Sequence, residues 1–166
     1  MADARSAEAV VIWGAEISVL VHATEDERKV ERAVTNLVPE EAGGIRTRVQ
    51  RLSGHHSSPL VHMTMRITRR RAALETLRNL VRSLSPPDRR RLVDEAEERV
   101  DDAGSLYVRL DKQSAYLGRA VLHEADSIRM KFRFRVPHGA DSVGFVRACL
   151  AEHIEEVEHG PGIVEM

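Results

Sequence analysis

Four cationic side chains recur at every second position late in the chain: Arg129, Lys131, Arg133 and Arg135. Residues two apart on a strand share one face, so this spacing gathers four like charges in a row. Such charges repel one another, and a surface that concentrates them suits a counter-anion. Phosphates spaced along a nucleic acid backbone meet that need, and binding them releases condensed counterions. Between the cations alternate Ile128, Met130, Phe132, Phe134 and Val136, which fit the opposite, packed face. Neighbouring strands are expected to add Arg46, Arg48, Arg66, Tyr107 and Arg109. The rings of Tyr107 and Tyr116 suit stacking on an unpaired base, although ordinary packing is the simpler role for each.

A second cluster is His55-His56, inside the turn-rich segment Gly54–Pro59. Adjacent histidines with a lysine brought close by folding, such as Lys112, could cleave RNA by acid–base chemistry without a metal. They could also ligate a metal. Contact with a ligand or the backbone ranks ahead of both. His123, Glu124 and His153 read most simply as surface residues. The chain contains no Walker-type phosphate loop, dinucleotide glycine pattern, HExxH, CxxC or nucleophile elbow, so no catalytic residue, metal or cofactor is assigned.

The net charge of −1 would by itself argue against a polyanion. Its distribution argues for one. Residues 46 to 91 hold twelve arginines against Glu75 and Asp88, a net of +10, and the remainder carries −11. If that segment formed one face, the molecule would be polarised; arginines on helices can instead pair with glutamates from elsewhere. Cys149 is the single cysteine, which excludes an internal disulfide and suits a buried thiol in a reducing cytoplasm. No apolar run approaches the ~20 residues a bilayer requires, and the N-terminus lacks the order of a signal peptide.

These side chains must be held by a frame, and the periodicities supply one. Val10–Ala23 and Leu60–Thr68 alternate as strands, Arg46–Leu52 and Ser105–Leu110 are further strands, and Ser127–Val136 is the clearest. A helix is expected after Thr24, whose spacing to Glu27 suits a capping box. Others span 69–84, start at Ser85-Pro86 with a buried stripe of Leu92, Val93, Ala96 and Val100, and run from Asp141 or Ser142 to Val157 with Val146, Leu150, Ile154 and Val157 buried. Asp111–Gly118 is a short turn or helix. The order β-α-β-β-α-α-β-β-α predicts an α+β fold of two layers: a mostly antiparallel sheet with helices packed on one face. The expected organisation is a flexible leader at 1–9, one domain at 10–158 and a short tail at 159–166.

Three blocks resemble a small archaeal family described as RNA-binding and as a predicted exosome subunit. They are Glu16–Asp26 (EISVLVHATED), Gly54-His55-His56 with Pro59, and Leu106–Gln113 (LYVRLDKQ) followed by Tyr116-Leu117-Gly118. The resemblance covers residues 14 to 157 in order. It implies a two-layer fold like that of the ribosomal protein that holds the smallest large-subunit RNA, also compared with the double-stranded-RNA-binding domain. The chain departs from the family pattern at Ser57-Ser58 and Ser114.

The expected function is RNA binding, as an accessory to RNA processing or exosome-type decay. Arg129, Lys131, Arg133 and Arg135 would hold phosphates, with Gly54–Pro59 and Asp111–Gly118 adding shape or base preference. Two alternatives stand beside it: a metal-independent ribonuclease using His55 or His56, and an interaction module that forms a homodimer or docks a protein through the open sheet. The residues alone do not choose RNA over DNA, or single strand over duplex.

Overall fold

The computed structural model describes residues 11–40, 42–53 and 59–160. The expected leader, most of the tail, and the loop carrying His55 and His56 lie outside the described residues. Five strands, β1 (Ile12–Val21), β2 (Ile45–Ser53), β3 (Pro59–Ile67), β4 (Ser105–Leu110) and β5 (Ile128–Phe134), form one antiparallel sheet in the order β2-β3-β1-β5-β4. The helices among the described residues are α1 (Glu27–Asn36), α2 (Arg70–Ser83), α3 (Pro86–Asp94), α4 (Ala96–Arg99), α5 (Lys112–Tyr116) and α6 (Ser142–His159).

Alternation within the strands sorts the two faces of the sheet. Ala15, Ile17, Val19 and Val21 of β1, Val61, Met63 and Ile67 of β3, and every even position of β5 from Ile128 to Phe134 are buried. They face the helical layer, where α2 lies across β1 and buries Ala73, Leu77, Leu80 and Val81. α6 packs on α2, α3 and α4. Among the described residues, no helix lies on the opposite face. This is the two-layer arrangement expected, with α4 and α5 as short additions to the element order.

Three local expectations need correction. Thr24 does not cap α1; Asp26 does, accepting the Arg28 N–H at 3.0 Å, while Glu25 Oε1 accepts the His22 N–H at 3.0 Å. Asp ranks above Thr as a cap, and a start two residues later lets Glu25 close the turn leaving β1. The helix after Ser85 is not continuous but breaks at Glu95. The chain must turn there so that Val100 can bridge to Leu106 on the outer edge of β4. His153 is buried, not superficial: Val146, Leu150 and His153 follow i+4 and i+3 steps onto one helical stripe.

The two flanks of the sheet differ. β4 is partly covered, through isolated bridges from Val100 and Leu122. β2 has β3 on one side and, among the described residues, no strand on the other, and it carries Arg46, Arg48 and Arg51.

Candidate nucleic-acid interface

The strand registers build the open face row by row, because residues directly opposite on antiparallel strands share a face. One row across the sheet reads Arg46, Arg66, Glu16, Lys131, Tyr107. The next reads Arg48, Thr64, Ser18, Arg129, Arg109. On the other side of the first, Gly14 lies opposite Arg133 and Arg133 opposite Ser105. Neighbouring strands are about 4.8 Å apart, so these rows span roughly 20 Å. The face therefore presents Arg46, Arg48, Arg66, Arg109, Arg129, Lys131 and Arg133 against Glu16, the one carboxylate placed on these rows among the described residues.

Its electrostatics are lopsided. Glu16 Oε2 accepts Arg66 Nε at 3.2 Å, which quenches that pair. Arg46 stands directly opposite Arg66, and Arg109 opposite Arg129, like charge against like. Among the described residues Arg46, Arg48, Arg109, Arg129, Lys131 and Arg133 make no ion pair with an acid. Packing in place of pairing holds part of the array. The Arg129 guanidinium lies 4.7 Å and the Lys131 ammonium 5.5 Å from the centre of the Tyr107 ring. The ring is itself fixed by its hydroxyl, which donates to Asp101 Oδ2 at 3.0 Å.

Asp101 is the anchor of this corner. Its Oδ1 accepts the N–H groups of Ala103 and Ser105 at 3.0 and 2.9 Å, closing a turn at Gly104, whose φ of 85° suits glycine. Burial alone would raise its carboxyl. The Ser105 amide, the Tyr107 hydroxyl, the Ala103 amide and the nearby Lys131 charge outweigh burial and hold it below the ordinary range. Tyr107 thus lies beneath the Arg129 and Lys131 cations, held by its hydroxyl.

The remaining candidates fall elsewhere. Arg135 lies one residue beyond β5; its N–H donates to Val11 O at 2.6 Å and its guanidinium sits 5.1 Å from the Trp13 ring. Lys112 and Tyr116 sit on α5, off the open face. The Lys112 ammonium donates to Leu20 O at 2.6 Å and to Glu25 Oε1 and Asp126 Oδ1 at 2.9 Å each. These bonds occupy all three of its donors. Tyr116 lies against α1, 5.9 Å from the Lys29 ammonium. Two of the sequence blocks, the one ending at Glu25-Asp26 and the one holding Asp111-Lys112-Gln113, are therefore brought together by Lys112.

His22, Glu25 and Asp126 offer ligand atoms within 4.8 Å of one another, but the Lys112 ammonium occupies the position a cation would take. Burial raises the Asp126 carboxyl; Lys112 and His22 lower it further than burial lifts it. Asp111 caps α5 through the Ser114 N–H at 2.9 Å, and the Ser114 hydroxyl and amide hold its carboxyl low.

Of the twelve arginines in the basic segment, only Arg46, Arg48 and Arg66 lie on the open face. Several others are spent among the helices: Arg78 meets Glu75 at 3.0 Å, Arg91 meets Glu95 at 3.2 Å, and Arg89 Nε donates to Val81 O at 2.8 Å. Arg51 points to the helical side, 3.5 Å from Glu27.

Trp13 is the residue the periodicity hides. Counting by twos from Ile17 places it inside, yet the register of β1 on β5 shifts between Ile12 and Gly14. The bulge turns Ile12 inward, fully buried, and leaves Trp13 43% exposed. Arg70 lies 4.3 Å from its ring on one flank of the sheet end.

A family profile described as RNA binding matches residues 14–134, from within β1 to the end of β5. The chain is 37% identical over 114 residues to RNA-binding protein PAB1135 of Pyrococcus abyssi, covering 68% of this chain and 74% of that one. Protein AF2318 from Archaeoglobus fulgidus, a DUF54 structure, superposes with a TM-score of 0.71 at 29% identity, covering 82% of this chain and 98% of that one. Mth689 from Methanothermobacter thermautotrophicus, also a DUF54 protein, gives a TM-score of 0.67 at 26% identity over 87% and 99% of the two chains. With all five strands inside or bordering the matched span, the chain belongs to this RNA-binding family.

Proposed function

We propose that this protein binds RNA by laying the phosphate backbone across the open sheet face. The observation that carries the reading is the cationic array itself: among the described residues six side chains make no close ion pair with an acid, on a surface that no described helix covers. Like charges placed across neighbouring strands repel one another, and phosphates convert that repulsion into attraction while releasing counterions. Following the family resemblance, the protein serves RNA processing or exosome-type decay as an RNA-contacting accessory and not as the cleaving enzyme.

Salt-titrated RNA binding tests this. If Arg46, Arg48, Arg109, Arg129, Lys131 and Arg133 each neutralise one phosphate of a single strand, log affinity falls against log salt with a slope of about −4. That corresponds to roughly 300-fold weaker binding on passing from 50 to 200 mM salt. Replacing Arg129, Lys131 and Arg133 together by Ala brings the slope to about −2. An unchanged slope in a folded triple variant, or binding indifferent to salt and to Arg133→Glu, removes the sheet face from the interface. Incubating RNA with the pure protein in chelator checks the cleavage alternative, which requires shortened products and their loss in His55→Ala. Sizing the chain with and without RNA separates a dimer from an RNA complex.

A further inference from the structure

The open face ends, on the Trp13 side, in a cleft of about 270 Å³ whose lining includes Trp13, Gly14, Glu16, Arg66, Thr68 and Arg133. We propose that this cleft receives an unpaired nucleobase, stacked on Trp13, so that the protein prefers single-stranded over duplex RNA. The inference rests on the reading that the sheet face binds RNA.

Three observations converge. A bulge spends one residue of β1 to turn the largest aromatic of the chain out of the core, leaving it 43% exposed when burial would have been favourable. The floor next to it includes Gly14, where a Cβ would crowd Ile67 O at 3.0 Å and narrow the cleft. Guanidinium groups frame the ring, Arg70 at 4.3 Å and Arg135 at 5.1 Å, and Arg133 lines the cleft beside the Arg66–Glu16 pair. A flat apolar platform ringed by cations matches a base joined to its phosphate. A base arriving on the ring displaces Arg135, the looser of the two guanidinium groups, which then meets the adjoining phosphate. Duplex RNA keeps its bases stacked within the helix and offers no face to the platform.

Trp13 is the chain's one tryptophan, so its fluorescence reports the site directly. The full chain would be titrated at low salt with a single-stranded ribooligonucleotide, with the same strand made abasic, and with a duplex. The single strand is expected to quench Trp13 saturably; the abasic strand and the duplex bind through phosphates without that quench. Trp13→Ala should weaken single-strand affinity by about 5- to 150-fold, the range of one base–aromatic stack. It should leave duplex affinity and the salt slope in place, and Trp13→Phe should restore most of the loss. Equal quenching by all three ligands, or an equal effect of Trp13→Ala on single strand and duplex, overturns the stacking site while salt-dependent binding keeps the face. Absence of binding by any of the three defeats the reading of the face itself.

Discussion

Replacing Lys112 by Met separates a structural role for the most recognisable sequence block from a role in contacting ligand. The side chain is 11% exposed and its ammonium holds Leu20 O at 2.6 Å, Glu25 Oε1 at 2.9 Å and Asp126 Oδ1 at 2.9 Å. It ties the end of β1, the approach to α1 and the segment before β5 to α5. Methionine keeps the aliphatic length and removes the charge. Breaking a fully buried pair costs about 3–5 kcal/mol. Here the partners are partly wet, with the Glu25 side chain 26% and the Asp126 side chain 55% exposed, so water re-solvates much of what is released. A loss of about 2–3 kcal/mol remains, chiefly from the lost bonds to Leu20 O and to Glu25, whose carboxylate keeps the His22 N–H. For a domain of this size that lowers Tm by roughly 4–12 °C. Urea and thermal unfolding followed by circular dichroism measure it, and RNA affinity at a temperature where both proteins are folded is expected to be unchanged. A loss below about 0.5 kcal/mol would refute the clamp. So would weakened RNA binding in a variant of undiminished stability, which would return Lys112 to the binding surface.

Glu16→Gln removes the carboxylate from the open face and frees Arg66, so RNA binds more tightly at low salt and the slope steepens by about 0.7, one phosphate contact; a filter-binding salt series shows either outcome. Asp101, Asp111 and Asp126 all have lowered carboxyl pKa values in the fold. The unfolded chain therefore holds more protons in acid, and their contribution is complete above an ordinary Asp value of about 3.9 and lost as pH falls through the lowered ones. Unfolding midpoints in urea between pH 7 and pH 2 should drop in that window, and less so for Asp126→Asn relative to its own pH 7 value. Burial pushes the Cys149 thiol up to about 11. A thiol-specific reagent at pH 8 should thus label native protein far more slowly than urea-unfolded protein, and equal rates would contradict the half-buried position.

What could be read in advance follows a physical divide between local period and long-range contact. β5 alternates without interruption, and its row of cations was visible from spacing alone; Arg135 lies one residue past the strand because pairing ends at Phe134. The helices gave most of their buried stripes in the same way, though Val93, Ile154 and Val157 are only partly buried and His153, whose polarity outweighed its position, is buried. Trp13 was invisible because a bulge reverses parity without leaving a mark in the residue types. The partners of Lys112 at positions 20, 25 and 126 come from three distant segments, which no window can join. Charge summed over residues 46 to 91 overstated the basic surface, since a helix turns its arginines toward acids that a running sum does not place. The break at Glu95 answered to the edge of β4, a tertiary demand absent from the local pattern.

The exposed flank of β2 has a consequence for how copies of this molecule meet. A free strand edge is a template for another chain, and proteins commonly blunt it with charge. Two copies joining antiparallel along this flank would bring the charged side chains of two β2 strands side by side, an unfavourable approach. The side chains proposed to meet phosphates would thereby also guard this flank against pairing with a second copy.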